Sequence, residues 1–167
     1  FYGIWDPDSG SPTTLVTSTV STGGNGRVGT VLPSVFDNDN NLGWEMDFPE
    51  AGERGNTDPY LAFGTLVFAT NKPTTPDPCN PSGFSSWVYN LDYLSGGVVN
   101  LAGDTNTHIA TYYAGASTRP NVVVLPSGVV KSITRTSGQN VVNNVEEVRI
   151  KTGGSGARRV TWRELLN

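Results

Sequence analysis

Cysteine, histidine and charge are all scarce in this chain, and each scarcity narrows what it does. Its 167 residues include one cysteine, Cys79, and one histidine, His108. A single cysteine makes no internal disulfide and founds no Cys-rich metal site. A single histidine leaves little for a nucleophile-base pair. Charged residues are 16% of the chain and the net charge is −4, which argues against bulk binding to nucleic acid. No apolar run approaches the roughly 18 residues of a membrane span. No signal-peptide pattern opens the chain. It starts at Phe1-Tyr2-Gly3-Ile4-Trp5-Asp6, which reads as mid-strand, so a fragment of a longer protein is expected.

What the chain has instead is turn chemistry. Twenty glycines and 11 prolines separate short runs rich in Val, Thr, Tyr and Trp. Strand-like runs cover 15–20, 27–32, 43–48, 61–70, 86–91, 108–113, 121–125, 129–136, 145–152 and 159–162. Only Trp162 to Leu166 could form a helical turn. The length suits a single all-β domain over residues 1–167. Leu125-Pro126-Ser127-Gly128-Val129 predicts a tight hairpin turn with Gly128 at positive φ. Thr22 to Gly26 and Gly153 to Gly156 read as hairpin tips, not phosphate loops, because no helix follows them. Asn71 to Ser82 holds four prolines and predicts a long stiff connection.

One weak repeat bears on architecture. Asp6-Pro7-Asp8-Ser9-Gly10 and Asp92-Tyr93-Leu94-Ser95-Gly96 share Asp-x-x-Ser-Gly after an apolar or aromatic run. The aspartate caps such a turn and the glycine supplies its left-handed residue. The offset is about two periods of the roughly 40–45 residues of a propeller blade. It predicts part of a β-propeller, about three to four blades and not closed on its own. A β-sandwich is the alternative. An unclosed propeller leaves an open edge for more chain or a partner.

Candidate chemistry is thin. His108 lies on a strand-like run and reads as an edge or partly buried structural residue. Carboxylate pairs at Asp6/Asp8, Asp37/Asp39 and Glu146/Glu147 cannot be placed across a cleft from sequence. Asp37-Asn38-Asp39-Asn40-Asn41 followed by Glu45 offers oxygen ligands at the spacing of an EF-hand-like loop. Asp37, Asp39, Asn41 and Glu45 are therefore candidate calcium ligands. Leu42 stands where such a loop needs glycine, and a metal-free Asp/Asn-rich turn is the competing reading. From Lys131 onward, Lys131, Arg135, Arg149, Lys151, Arg158, Arg159 and Arg163 outnumber three acids. This asymmetry reads as two solvated faces or a polar interface.

A fixed order of clusters carries a resemblance. It runs Gly43-Trp44-Glu45-Met46-Asp47-Phe48-Pro49, Gly52-Glu53-Arg54, Asp77-Pro78-Cys79, Ser86-Trp87 and Leu91-Asp92-Tyr93-Leu94-Ser95-Gly96-Gly97. With Tyr2 to Asp6 and Arg158 to Leu165, the series resembles the C-terminal region of the PilY family of type IV pilus biogenesis proteins and tip adhesins. The resemblance spans essentially the whole chain. It implies a modified propeller at the end of a longer secreted protein, at the pilus tip or bacterial surface. It implies contact with minor pilins, the rest of the propeller chain, and a host or abiotic surface. The family's calcium loop sits upstream of the matched region, so it does not fall on Asp37 to Glu45. Arg54-Gly55-Asn56 replaces the Arg-Gly-Asp of some members, so integrin binding is not carried over.

Trp44, Trp87 and Trp162 are large enough to anchor inter-blade packing. Glu53 and Arg54 are expected to pair or to brace the following turn. The favoured function is a non-enzymatic assembly or adhesion module acting by protein-protein contact. A carbohydrate- or surface-binding lectin-like domain, using Tyr112 and Tyr113, is the alternative. An enzyme on a quinoprotein-like propeller is disfavoured by the scarcity of histidine.

Overall fold

The computed structural model describes residues 1–4, 15–23, 26–29, 43–76, 78, 83–99, 105, 107–137 and 142–150. Over these residues the chain is all-β and forms twelve strands. They are β1 (Tyr2–Ile4), β2 (Leu15–Ser18), β3 (Val20–Gly23), β4 (Gly26–Gly29), β5 (Gly43–Met46) and β6 (Tyr60–Ala62). There follow β7 (Thr65–Pro73), β8 (Phe84–Asp92), β9 (His108–Ala114), β10 (Asn121–Val124), β11 (Val130–Thr136) and β12 (Val142–Glu147).

The strands make three sheets, none closed into a barrel. The first has the order β1-β5-β2, the central one β3-β4-β9-β8-β7-β6, and the third β10-β11-β12. Within the central sheet, β6 to β9 is an antiparallel meander of consecutive strands, and the third sheet is another. Such meanders stacked face to face suit both a partial propeller and a layered sandwich.

Side-chain alternation assigns the two faces of the central sheet. On one face, Phe68, Trp87, Tyr89, Leu91 and Ala110 pack with Trp44 and Met46 of β5. On the other, Val67, Ala69 and Val88 pack with Val130 and Val148 of the third-sheet region. The central sheet is therefore covered on both sides, which explains the uninterrupted apolar stretches Leu66–Ala69 in β7 and Trp87–Tyr89 in β8. Phe1, Phe68 and Tyr89 stack in series, with ring centroids 4.3 and 4.9 Å apart. Stacks of this kind add about 0.5–1.5 kcal/mol per pair beyond area burial.

Several expected boundaries move. The run 61–70 is not one strand: Phe63 (φ 48°) and Gly64 (φ 82°) form a two-residue turn, and Ala62 pairs with Thr65. The run 15–20 breaks at Thr19, where the chain leaves the first sheet for the central one. The proline-rich connection is shorter than Asn71 to Ser82, because Asn71, Lys72 and Pro73 pair with Ser86, Ser85 and Phe84. Pro73 is tolerated because it ends its strand.

Two turns match expectation. Leu125 N donates to Val129 O at 2.8 Å, with Gly128 at φ 84°. Asp92 Oδ1 accepts from Leu94 N at 3.0 Å, with Gly96 at φ 67°. The partner turn Asp6 to Gly10 lies outside the described residues, as do Cys79, Gly153 to Gly156 and Trp162 to Leu166.

Candidate functional site

The most heavily charged part of the interior lies on the β5-facing side of the central sheet. In β4, Arg27 pairs with Ala110 of β9, whose register partner is Tyr89. Arg27 therefore projects among the core aromatics, and its side chain is 0% exposed. Its guanidinium lies over the Trp87 ring, 4.0 Å from the centroid. The turn after β5 delivers the counter-charges. Gly52 takes φ 81° and Glu53 N donates to Glu50 O at 3.1 Å, so both carboxylates face the sheet.

Arg27 Nη1 donates to Glu53 Oε1 at 2.6 Å, and Nη2 to Glu50 Oε1 at 2.9 Å. Arg27 also donates to the Tyr89 hydroxyl. Glu53 Oε1 accepts further from the hydroxyls of Thr70 at 2.5 Å and Tyr89 at 3.2 Å. Glu50 accepts from Trp87 Nε1 at 2.9 Å and from Lys72 Nζ at 2.8 Å. Every contact but Arg27–Tyr89, which joins β4 to β8, ties the Glu50–Glu53 turn to β4, β7 or β8, so the network braces that turn against the sheet.

Physical chemistry fixes its charge states. Burial alone would lower the Arg27 pKa, but its bond to Glu53 and the nearby charges raise it. Burial pushes the Tyr89 hydroxyl well above its ordinary range, helped by Glu53, so it stays neutral. Partial burial would raise Glu50, but the bonds from Lys72 and Trp87 hold it below the ordinary carboxylate value. A depressed acid contributes stability above its unfolded pKa of about 4.3, and loses it as pH falls through the folded value. Thermal melts of wild type and Glu50→Gln between pH 7 and pH 3 check this. The variant is expected to melt lower at pH 7 and to lose less on acidification. Parallel curves would remove Glu50 from the account.

The expected Glu53–Arg54 pair is not formed. Glu53 turns inward to Arg27, while the Arg54 backbone exchanges two 2.9 Å hydrogen bonds with Asn71 and its side chain is exposed. Nothing local in the sequence marks Arg27 as a site residue, because its partners lie distant along the chain. Trp44 and Trp87 are buried, at 2% and 4% exposure. His108 is not on an edge strand: β9 lies between β4 and β8, and the His108 ring covers Gly26. Of the candidate calcium ligands, Asp37, Asp39 and Asn41 lie outside the described residues. Glu45 is half-buried on β5 and accepts from the Thr17 hydroxyl at 3.3 Å. Among the described residues no three His, Cys, Asp or Glu side chains form a metal-sized group.

A second feature lies at the surface. β6 ends the central sheet and β10 ends the third, and the two strands run close together. Thr65 Oγ1 donates to Arg149 O at 2.5 Å, and Val148 N to Val130 O at 2.9 Å. These bonds bring the β6–β7 and β10–β11 turns to the same end of the stacked sheets. Arg119 and Asp58, in the segments leading to β10 and β6, form an exposed ion pair at 3.5 Å. Around these edges Leu61 (55%), Phe63 (48%), Val124 (54%) and Leu125 (41%) are solvent-exposed. Among the described residues each strand has one hydrogen-bonded neighbour, which leaves its outer backbone edge without a ladder partner there. Phe63 adds a second signal. A bulky residue at positive φ is strained, and its ring is exposed rather than packed.

Comparison of the chain with protein-family models, curated proteins and solved structures finds no match.

Proposed function

We propose that this chain is a non-enzymatic assembly or adhesion module of type IV pili, acting by protein-protein contact at the pilus tip or bacterial surface. The ordered clusters from Gly43 to Gly97 support the pilus association by resemblance. The paired apolar edges at β6 and β10 carry the contact reading. Exposed apolar residues gathered around two open strand edges, with a strained aromatic at one turn, are what a binding partner would cover. The braced Glu50–Glu53 turn ties β4, β7 and β8 of the same sheet together.

Minor pilins are the partners implied by the resemblance. Biolayer interferometry with purified minor pilins tests the reading. The double variant Leu61→Asp/Val124→Asp is expected to weaken binding at least tenfold. Its melting temperature is expected to change little, because both side chains are solvated in the free chain. Equal binding by variant and wild type, or no binding by either, would count against this surface and this function respectively.

A further inference from the structure

On the opposite margin of the stacked sheets, β12 lies over the β8–β9 side and leaves a cleft of about 400 Å³. Asn90, His108, Thr111, Tyr113, Glu146 and Arg149 line it. Its size falls within the roughly 300–1,000 Å³ of small-ligand sites. We propose that this cleft binds a neutral saccharide.

The chemistry of the lining selects that ligand class. Tyr113 is half-buried, packs against the Val67–Val88 side of the core and lines the cleft beside polar groups. Its hydroxyl donates to Glu146 Oε1, which fixes both side chains in place before a ligand arrives. Burial, and then the bond to Glu146, raises the Tyr113 pKa, so the hydroxyl remains a donor through the neutral range. Glu146 Oε2 is left to accept from a ligand hydroxyl, while Thr111 both donates and accepts. Asn90 Oδ1 is buried and lacks a hydrogen-bond partner among the described residues, so a hydroxyl donor is the group it wants.

Glu146 and Arg149 bring opposite charges to the lining, so the cleft has no net charge from this pair to favour an anion or a cation. Glu147, also at the cleft, is already paired with Lys131 Nζ at 2.9 Å. A neutral ring with several hydroxyls donates to Asn90 Oδ1 and to the Glu146 carboxylate and lays its C–H face along Tyr113. None of the residues lining this cleft lies in β6 or β10, so its function stands or falls separately from pilin contact.

Saturation-transfer NMR on the whole chain tests the proposal. The probes are glucose, galactose, N-acetylglucosamine and their disaccharides, with acetate and ethanolamine as charged controls. Transfer to at least one neutral sugar is expected at millimolar concentration, with binding weakened at least tenfold in Glu146→Ala and unchanged in Val124→Asp. Should Glu146→Ala fail to fold, Thr111→Val replaces it, with the same loss expected. Absence of transfer to every sugar, transfer that survives in the cleft variant, or preference for a charged control would overturn the proposal.

Discussion

Arg27→Ala is expected to be the most destabilising substitution at any charged position in the described chain. The reason is asymmetry. An ion pair formed in the interior gains little net energy, because its attraction is offset by the cost of drying both charges. Removing one partner alone leaves the other charge dry and unmatched, at a cost of roughly 3–5 kcal/mol. Arg27 and Glu53 have side chains that are both 0% exposed, so neither can recover its lost partner from solvent. The change also removes a cation over Trp87 and opens a cavity the length of an arginine side chain. For a chain of this size, the loss corresponds to a drop of about 6–20 °C in melting temperature. Pairing Arg27→Met with Glu53→Gln should recover part of the loss, because the second change discharges the orphaned carboxylate. A double variant no more stable than Arg27→Met alone would show that packing, not charge matching, dominates at this site.

Trp87→Ala is expected to cost about as much, by a different route. Truncating a buried tryptophan costs about 3–5 kcal/mol through lost transfer energy and a residual cavity. Trp87 packs in the main core cluster, meets Tyr112 edge-on at 5.2 Å, and donates to Glu50 at 2.9 Å. Trp87→Phe separates these contributions. It keeps most of the volume and loses the indole N–H, so its smaller deficit should reflect the Glu50 bond and the weaker cation-π contact. Chemical denaturation of the three proteins reads the difference directly. If Trp87→Ala melts with wild type yet fails to bind pilin, the residue is a ligand contact and its structural role is wrong.

The features legible in the sequence were those governed by neighbouring residues. Leu125 to Val129 turns as expected because Gly128 supplies a left-handed residue within the same five positions. Asp92 caps its own turn, two residues away, for the same reason. The strand identity of 86–91 and 108–113 was visible because β-branched and aromatic residues there dominate over any helix former.

What was not legible depends on contacts that sequence does not order. Phe63 hides a turn because an aromatic inside an apolar run argues for strand, and φ 48° is unfavourable for it. Gly64 alone was too little signal. Arg27 meets Glu53, 26 residues away, only because β4 joins β9 and so reaches the face that the Glu50–Glu53 turn covers. The adjacent edges of β6 and β10 arise from two separate sheets, and the cleft at Tyr113 needs β12 laid over β9. Periodicity identifies strands, but it does not say which sheets will stack.

Hydrogen exchange of the chain, alone and with a purified minor pilin, tests the contact account most directly. It resolves protection by segment and needs no variant. The account predicts new protection in residues 60–64 and 121–125, with the already braced segment 50–54 unchanged. Binding that leaves both edge segments exchanging freely, or that protects some other face instead, would contradict it.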